Sequence, residues 1–216
     1  MEHADRERLR RALFEELRRE IADEQVLEAM ARVPREFFVP PDSLDLAYAN
    51  QPLPIGSGQT ISQPLIVALM TQALRLTPGS RVLDVGTGSG YQTAVLAELA
   101  KEVVTVERLP DLLHLAQRRL GALGYRNIMF REAGPVLGCP DLAPYDAILV
   151  AAAAPSVPTT LVEQLVQGGR LVLPVGSLYE QELVLVVRET EGTRREALGA
   201  CRFVPLVGPG AWEDQG

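Results

Sequence analysis

The sequence predicts a doubly wound, mostly parallel α/β sheet that ends in antiparallel strands and is preceded by N-terminal helices. Two observations support this fold class. From residue 79 to residue 175, short apolar segments alternate with helix-like segments, which is typical of parallel sheets joined by right-handed crossovers. Two long β-type segments then follow, 182–190 and 195–205, and only a short hairpin-like break separates them.

Length and composition indicate one globular domain. The chain has 216 residues, of which 47% are hydrophobic and 23% are charged, and this is sufficient for one full core. We expect a single domain over 1–216, with helices and a covering loop in 1–78 and the sheet core in 79–216. The net charge of −7 argues against a general nucleic-acid binder, which needs a basic surface to neutralise phosphates. Small molecules or proteins are the expected partners.

Cysteine usage and hydropathy favour a cytoplasmic protein. Cys139 and Cys201 are the only cysteines, and their spacing matches neither a disulfide framework nor a zinc site. The N-terminus shows no apolar signal segment, and the longest apolar segment, 147–154, is too short to span a bilayer. We therefore expect no metal and no membrane partner.

The N-terminal region predicts two helices. Leu9, Leu13, Leu17 and Ile21 recur every four residues between charged residues, as in an amphipathic helix with one buried face. A second, shorter helix is expected at about 24–32, because the prolines that follow it end regular helix.

The segment 47–64 predicts an irregular loop that lies over a site. It is rich in proline and glycine but contains large apolar residues, which would anchor it to the core, whereas a flexible linker lacks such anchors. Gln59, Thr60 and Ser62 offer hydrogen-bonding groups. Ser62 also precedes Pro64 and an apolar helical stripe, so a simple role as helix N-cap remains an alternative.

The sheet core is predicted from its alternating segments. The segments 147–150 and 170–173 are continuously apolar, as in strands that are buried on both faces of a sheet. Strands are expected at 81–86, 103–107, 127–131, 145–151 and 169–175. Helices are expected at 91–100, 110–123 and 158–167.

Three glycines follow the first strand of this core and predict a small-molecule site. Gly86, Gly88 and Gly90 permit positive φ and carry no Cβ, so a ligand can approach the bare backbone at a helix N-terminus. A tight turn without a ligand is the alternative. The spacing Gly-x-Gly-x-Gly differs from the dinucleotide pattern, in which the third glycine comes one residue later.

Two acidic residues help to define the ligand. Glu107 ends the second strand about 20 residues beyond Gly86, where a carboxylate can accept hydrogen bonds from both hydroxyls of a ribose, although an exposed strand-end glutamate is the simpler reading. Asp84 precedes Gly86 by two residues, where it can approach the cationic amino acid end of S-adenosylmethionine and would repel a pyrophosphate. The pattern therefore favours S-adenosylmethionine over a dinucleotide.

The sequence resembles the protein-L-isoaspartate O-methyltransferases, a family with a Rossmann-like class I methyltransferase fold. The resemblance covers roughly residues 25 to 210, and the Thr60-Ile61-Ser62 loop before the first sheet strand is its most particular feature. The segments that carry it are 33–35, 52–56, 59–64, 82–92, 151–155, 168–171, 174–176 and 203–206.

This resemblance implies methyl transfer from S-adenosylmethionine, leaving S-adenosylhomocysteine, to the carboxylate of L-isoaspartyl residues in damaged proteins and peptides. It places Ser62 at the reacting centre. We also expect a monomer. The cofactor-binding residues that it implies are Gln59, Thr60, Ile61, Ser62, Asp84, Gly86, Gly88, Glu107, Ala133 and Gly134. The implied substrate-binding residues are Pro54, Ile55, Thr60 and Val204.

The implied reaction needs no strong base. A side-chain carboxylate has a reference pKa of about 4 and is ionised at neutral pH, so neither histidine has to be catalytic. Excluding water and aligning the carboxylate, methyl carbon and sulfur should supply most of the rate. Ser62 is therefore expected to position the acceptor carboxylate.

Three residues depart from the family pattern. Ala133 stands where an aspartate commonly accepts a hydrogen bond from the adenine amino group, with Glu132 as a substitute acceptor nearby. Asn50 replaces a common acidic residue, and Ser57 a frequent histidine. These departures leave open a methyltransferase with a changed acceptor and a non-catalytic S-adenosylmethionine-binding protein, and a dehydrogenase is a distant further alternative.

Overall fold

Two helices form the N-terminal part of the computed structural model, which describes residues 3–213. Helix α1 (His3–Leu17) packs Leu13 and Leu17 into the core. Helix α2 (Glu24–Arg32) is preceded by its N-cap Asp23, whose carboxylate accepts hydrogen bonds from two backbone N–H groups of the helix. Both predicted helices are confirmed, although α1 ends before Ile21, which is buried outside it. The limits of the predicted domain, 1–2 and 214–216, lie outside the described residues, and the single domain itself stays a prediction.

The predicted irregular loop contains a short β-hairpin. Strands β1 (Leu53–Gly56) and β2 (Gln59–Ile61) pair antiparallel, and the turn between them has three consecutive residues with φ of 92°, 52° and 68°. The prediction of irregular structure is wrong here, because two glycines in this turn allow the positive φ values that close a hairpin. The chain then enters helix α3 (Pro64–Leu74), whose N-cap is Gln63 and not Ser62.

A seven-stranded sheet forms the centre of the molecule. Its strands are β3 (Arg81–Val85), β4 (Glu102–Glu107), β5 (Ile128–Glu132), β6 (Tyr145–Val150), β7 (Leu165–Gly176), β8 (Gln181–Arg188) and β9 (Thr193–Cys201). They lie in the order β5-β4-β3-β6-β7-β8-β9. The strands from β3 to β7 are parallel, and β8 and β9 extend the sheet antiparallel. The predicted doubly wound, mostly parallel sheet with an antiparallel end is confirmed.

Three helices connect the parallel strands. Helices α4 (Tyr91–Leu99) and α5 (Pro110–Ala122) match the prediction, but α6 (Thr159–Glu163) is much shorter than the predicted helix 158–167. Strand β7 begins at Leu165, four residues before the predicted start, because Leu165 pairs with Tyr145 of β6. Tertiary pairing thus overrides a local pattern that also suits a helix.

The sheet topology places a crevice at the carboxyl ends of the central strands. The chain starts in the middle at β3, continues to β4 and β5 on one side, and then crosses to β6 and β7 on the other. Ligands of doubly wound sheets bind at such a reversal of strand order.

Within residues 3–213, the structure contains no helix that could cross a bilayer. The same part of the chain brings together no cluster of three histidine, cysteine or acidic side chains that could hold a metal ion.

Candidate active site

A cavity of about 240 Å³ lies beyond the carboxyl ends of β3, β4 and β6. One wall is the β1–β2 hairpin with the residues that follow it, and the floor is the glycine turn after β3. The remaining walls come from chain that follows β4, β5 and β6 and from the C-terminal segment 203–209. Such concave sites with mixed apolar and polar walls are typical of small-molecule pockets.

Most of the predicted site residues line this cavity. They are Gln59, Thr60, Ile61, Ser62, Gly86, Gly88, Glu107, Ala133, Gly134 and Val204. They come from five separate parts of the chain, so the fold brings together what the sequence predicted separately. The individual roles of these residues stay predictions.

Three predicted residues lie outside the cavity lining. Pro54 and Ile55 are on β1, where Pro54 is exposed and Ile55 is half-buried. Ile55 lies next to the glycine turn, since its Cδ1 would be 3.7 Å from a Cβ placed on Gly88. Asp84, the third, is completely buried below the glycine turn.

The glycine turn supplies the bare backbone that the sequence predicted. Gly86, Gly88 and Gly90 have φ of 98°, 52° and 90°. A Cβ on Gly86 would lie 3.5 Å from the Cβ of Ala151, inside the crevice between β3 and β6, so a side chain there would fill space that the cavity uses. Gly90 serves packing instead, because a Cβ on it would lie 3.1 Å from Leu120.

Glu107 lines the cavity and also holds the glycine turn in place. One carboxylate oxygen accepts a hydrogen bond from the Gly88 N–H at 2.9 Å, and the other accepts from the N–H groups of Arg108 at 2.8 Å and Leu109 at 3.0 Å. A carboxylate has about four acceptor positions. The three backbone donors therefore leave room for about one unshared bond from a ribose hydroxyl, and a second hydroxyl would have to share an oxygen with a backbone donor.

Asp84 has a different position from the predicted one. Its Oδ2 accepts hydrogen bonds from the hydroxyls of Thr93 at 2.6 Å and Thr105 at 3.0 Å, and Thr105 in turn bonds the hydroxyl of Thr87 at 2.6 Å. The expected direct approach to a cofactor amino group is corrected accordingly, because the side chain is fully buried and does not reach the cavity. Asp84 instead connects the glycine turn, through Thr87, to β4 and α4.

Burial raises the pKa of Asp84 to about 7, the two threonine hydroxyls oppose this shift, and the charge of Glu107 adds to it. In the unfolded chain the pKa of this carboxyl returns to about 4. Between these two pH values the folded state holds a proton that the unfolded state releases. The contribution of this proton to the free energy of unfolding is fully present below about pH 4 and is lost as the pH rises through about 7.

Replacing Asp84 with asparagine should remove this pH dependence. Because asparagine does not titrate, the free energy of unfolding of Asp84→Asn minus that of the wild type should become more positive between pH 5 and pH 8. Denaturant unfolding of both proteins at a series of pH values measures this difference. Parallel stability profiles would show that Asp84 keeps an ordinary pKa.

The hairpin wall presents free polar groups to the cavity. Among the described residues, the hydroxyls of Thr60 and Ser62 have no hydrogen-bond partner in the protein, so both are available to a ligand. Ser62 caps no helix, which removes the simple alternative for this residue. Its backbone carbonyl accepts a hydrogen bond from Arg35 at 2.8 Å.

The C-terminal segment reaches the cavity by pairing with the chain after β6. Ala153 donates a hydrogen bond to the carbonyl of Val204 at 2.8 Å and accepts one from Leu206 at 2.8 Å. The indole N–H of Trp212 donates to the same Ala153 carbonyl at 3.0 Å. Gln181 on β8 bonds both the N–H and the carbonyl of Phe203. These contacts hold Val204 in the cavity wall.

Some lining residues escape sequence reasoning. Leu109 lies two residues past the end of β4 and lines the cavity, and the rule that ligands lie beyond strand ends could have found it. Leu137 and Gly138 come from an irregular segment well past β5 that carries no motif. Trp212 is the only tryptophan, and its anchoring role has no local signal in the sequence.

The three departures from the family pattern lie in different places. Asn50 bridges helices, since its side chain donates to Glu16 at 2.6 Å and accepts from the Leu65 N–H at 3.1 Å. Ser57 is the exposed turn residue of the hairpin. Only Ala133 lines the cavity. The neighbouring Glu132 is exposed and does not line it, so the structure gives no support to Glu132 as a substitute acceptor.

The apolar and polar groups of the cavity fit a nucleoside. Leu109 and Leu137 give apolar surface for a base, the Glu107 carboxylate can accept from a ribose, and the glycine turn leaves backbone uncovered at the start of α4.

Comparison with known proteins identifies the family. The family model described as protein-L-isoaspartate(D-aspartate) O-methyltransferase matches residues 7–210. A protein-L-isoaspartate O-methyltransferase 1 of Syntrophobacter fumaroxidans is 54% identical over 195 residues, which is 90% of this chain and 91% of that protein. A protein-L-isoaspartate O-methyltransferase of Dictyoglomus thermophilum is 50% identical over 209 residues, with 96% and 95% covered.

Solved structures agree with this result. A protein-L-isoaspartate O-methyltransferase superposes with a TM-score of 0.83 at 29% identity, over 94% of this chain and 67% of that chain. A Plasmodium falciparum protein, described as a protein-L-isoaspartate O-methyltransferase in complex with S-adenosyl-L-homocysteine, superposes with a TM-score of 0.79 at 29% identity, over 90% and 96%. The sheet is therefore that of a Rossmann-like class I methyltransferase, and the chain belongs to the protein-L-isoaspartate O-methyltransferase family.

Proposed function

We propose that this chain transfers the methyl group of S-adenosylmethionine to the carboxylate of L-isoaspartyl residues in damaged proteins and peptides. The observation that carries the proposal is that one cavity joins the glycine turn and Glu107 to the Thr60–Ser62 hairpin wall and Val204. The first pair suits a nucleoside cofactor. The second pair lines the same cavity, and we assign the acceptor peptide to it.

The chain's own residues would act by binding, orientation and exclusion of water. When bound, S-adenosylmethionine supplies an activated methyl group, so that a carbon–oxygen bond forms as the carbon–sulfur bond breaks and the electron pair stays on sulfur. We assign the ribose to Glu107 and the uncovered backbone of Gly86 and Gly88 to the rest of the nucleoside. We assign the acceptor carboxylate to the Ser62 hydroxyl. No proton has to move, which agrees with the absence of a general base from these assignments.

A pair of isomeric peptides tests the proposal. With labelled S-adenosylmethionine, the isoaspartyl peptide should take up label as a base-labile ester, and the otherwise identical aspartyl peptide should not. Transfer to a different acceptor alone would contradict the isoaspartyl assignment. Calorimetric binding of S-adenosylhomocysteine without any transfer to the isoaspartyl peptide would contradict the assignment as an enzyme.

No structural observation favours a changed acceptor. Of the three departures that raised that alternative, Asn50 and Ser57 lie outside the cavity lining. Ala133 lines the cavity, but the family resemblance assigns its position to the adenine and not to the acceptor. The expected cytoplasmic location, monomeric state and lack of a nucleic-acid partner stay predictions.

Ala133 offers a test of the cofactor orientation. An aspartate at this position would point an acceptor into the cavity, so Ala133→Asp should bind S-adenosylhomocysteine several-fold more tightly, in line with about 0.5–1.5 kcal/mol for one hydrogen bond. Calorimetry measures the change, and Glu132→Gln, which alters a side chain outside the lining, should leave the affinity unchanged. Weaker binding by Ala133→Asp would show that the adenine lies elsewhere.

A further inference from the structure

Arg35 is a buried cation outside the cavity. It is 1% exposed, and no carboxylate pairs with it within residues 3–213. Its Nε donates to the carbonyl of Ala47 at 2.9 Å and its Nη2 to the carbonyl of Ser62 at 2.8 Å, whereas Nη1 has no partner in the same part of the chain. The guanidinium carbon lies 4.7 Å from the centre of the Tyr91 ring.

This arrangement is costly for folding alone. Burying a charge without a counter-charge is unfavourable, and burial lowers the pKa of the Arg35 guanidinium from its ordinary value for the same reason. An apolar side chain of similar volume would fill a core position without this cost. A guanidinium has one property that an apolar side chain lacks, which is a rigid set of donors that can hold two carbonyls at a fixed separation.

The two carbonyls belong to the two ends of the segment that carries the hairpin. Ala47 is the first residue of the segment 47–62, and Ser62 is the last. The exposed part of this segment forms the cavity wall, and only its ends meet at Arg35. The third contact, Tyr91, is the first residue of α4 and directly follows the glycine turn. One side chain therefore joins the wall that holds Ser62 to the end of the turn that forms the floor.

We propose that Arg35 is a positioning residue that fixes Ser62 and the hairpin wall relative to the glycine turn. We refer to Arg35 with the carbonyls of Ala47 and Ser62 as the Arg35 bridge. This inference rests on the proposed function only where kcat is measured. The position of the hairpin wall can be tested without any methyl transfer. Losing the bridge should release the wall and misplace the Ser62 hydroxyl, while Glu107 and the glycine turn keep their own hydrogen bonds.

The test compares Arg35→Met with Arg188→Met. Arg188 is a matched control, because its Nη1 also donates to two backbone carbonyls, those of Glu163 and Leu165, away from the cavity. Well below the unfolding temperature, Arg35→Met should lower kcat for the isoaspartyl peptide about tenfold, as misplacement of a reacting group does. It should weaken binding of S-adenosylhomocysteine much less than it lowers kcat, because the hairpin forms only one wall of the cofactor site and Glu107 and the glycine turn keep their hydrogen bonds. Arg188→Met should keep the wild-type kcat.

Hydrogen exchange gives a readout that does not need turnover. In Arg35→Met the amides of residues 59–62 should exchange about tenfold faster than in the wild type, and in Arg188→Met at the wild-type rate. Arg35→Lys keeps the positive charge but lacks the planar guanidinium that can donate to two carbonyls at once. Its kcat and its exchange rates should therefore lie between those of the wild type and Arg35→Met. It replaces Arg35→Met as the test variant if Arg35→Met does not fold.

Three results would overturn the inference: wild-type kcat and exchange in Arg35→Met, a loss of cofactor affinity as large as the loss of kcat, or equal losses in the Arg188 control. If the wild type itself methylates no isoaspartyl peptide, the proposed function fails. The exchange measurement then decides the role of Arg35 by itself.

Discussion

Glu107→Ala is expected to weaken binding of S-adenosylhomocysteine about 100-fold. The substitution removes a charged acceptor for the ribose, and hydrogen bonds to charged groups contribute about 1.5–3 kcal/mol. It also releases the N–H groups of Gly88, Arg108 and Leu109, so the glycine turn loses its fixed shape. Both effects act on the cofactor and not on the acceptor. The KM for S-adenosylmethionine should therefore rise much more than kcat falls at saturating cofactor.

The other end of the same strand gives the control for Glu107. Glu102 begins β4 and forms an ion pair with Arg81 at 3.5 Å, away from the cavity. Glu102→Ala should keep the wild-type affinity for S-adenosylhomocysteine, measured by calorimetry. Glu107→Gln keeps one acceptor oxygen but turns an amide group toward backbone donors, so it should fall between wild type and Glu107→Ala. Equal affinities of wild type and Glu107→Ala would show that the ribose does not contact this carboxylate.

Local sequence patterns were sufficient to predict those site residues that lie at or just past the end of a strand. The glycine turn follows one strand of the predicted core and Glu107 ends the next, and parallel strands bring their carboxyl ends to one edge of a sheet. The order of the strands did not have to be known. For the same reason, Leu109 was within reach of sequence reasoning.

Asp84 shows the limit of this reasoning. It is the fourth residue of β3, and its distance from Gly86 along the chain suggested a ligand contact. Side chains of a strand alternate between the two faces, and the face on which Asp84 lies is covered by Thr93 of α4. Which face a helix covers depends on packing, and the motif alone does not contain that information.

The hairpin is a local structure, and its two turn glycines could have predicted it. The end of α6 and the ends of the segment 47–62 depend instead on partners elsewhere in the chain. Leu165 pairs with strand β6, and the Arg35 bridge holds the carbonyls of Ala47 and Ser62. Composition identified that segment as a folded cover over a site. It could not identify a single buried arginine as the group that holds both of its ends.

Ser62→Ala is expected to lower kcat for the isoaspartyl peptide about 10- to 100-fold while the affinity for S-adenosylhomocysteine stays within about threefold of the wild type. Ser62 lines the cavity and its hydroxyl has no protein partner, so removing it breaks no internal hydrogen bond among the described residues. Its backbone carbonyl keeps the bond from Arg35, and the hairpin wall should hold its place. The loss should therefore fall on alignment of the acceptor carboxylate, where small displacements cost large factors in rate.

The design of this comparison separates chemistry from folding. Ser57 is the matched control, because it is an exposed serine of the same hairpin that does not line the cavity. Ser57→Gly suits its φ of 52° and should keep the wild-type kcat. Ser62→Thr keeps a hydroxyl and should retain more activity than Ser62→Ala. If Ser62→Ala turns over at the wild-type rate, the acceptor carboxylate is held by other groups of the wall, of which the free hydroxyl of Thr60 is the next to test.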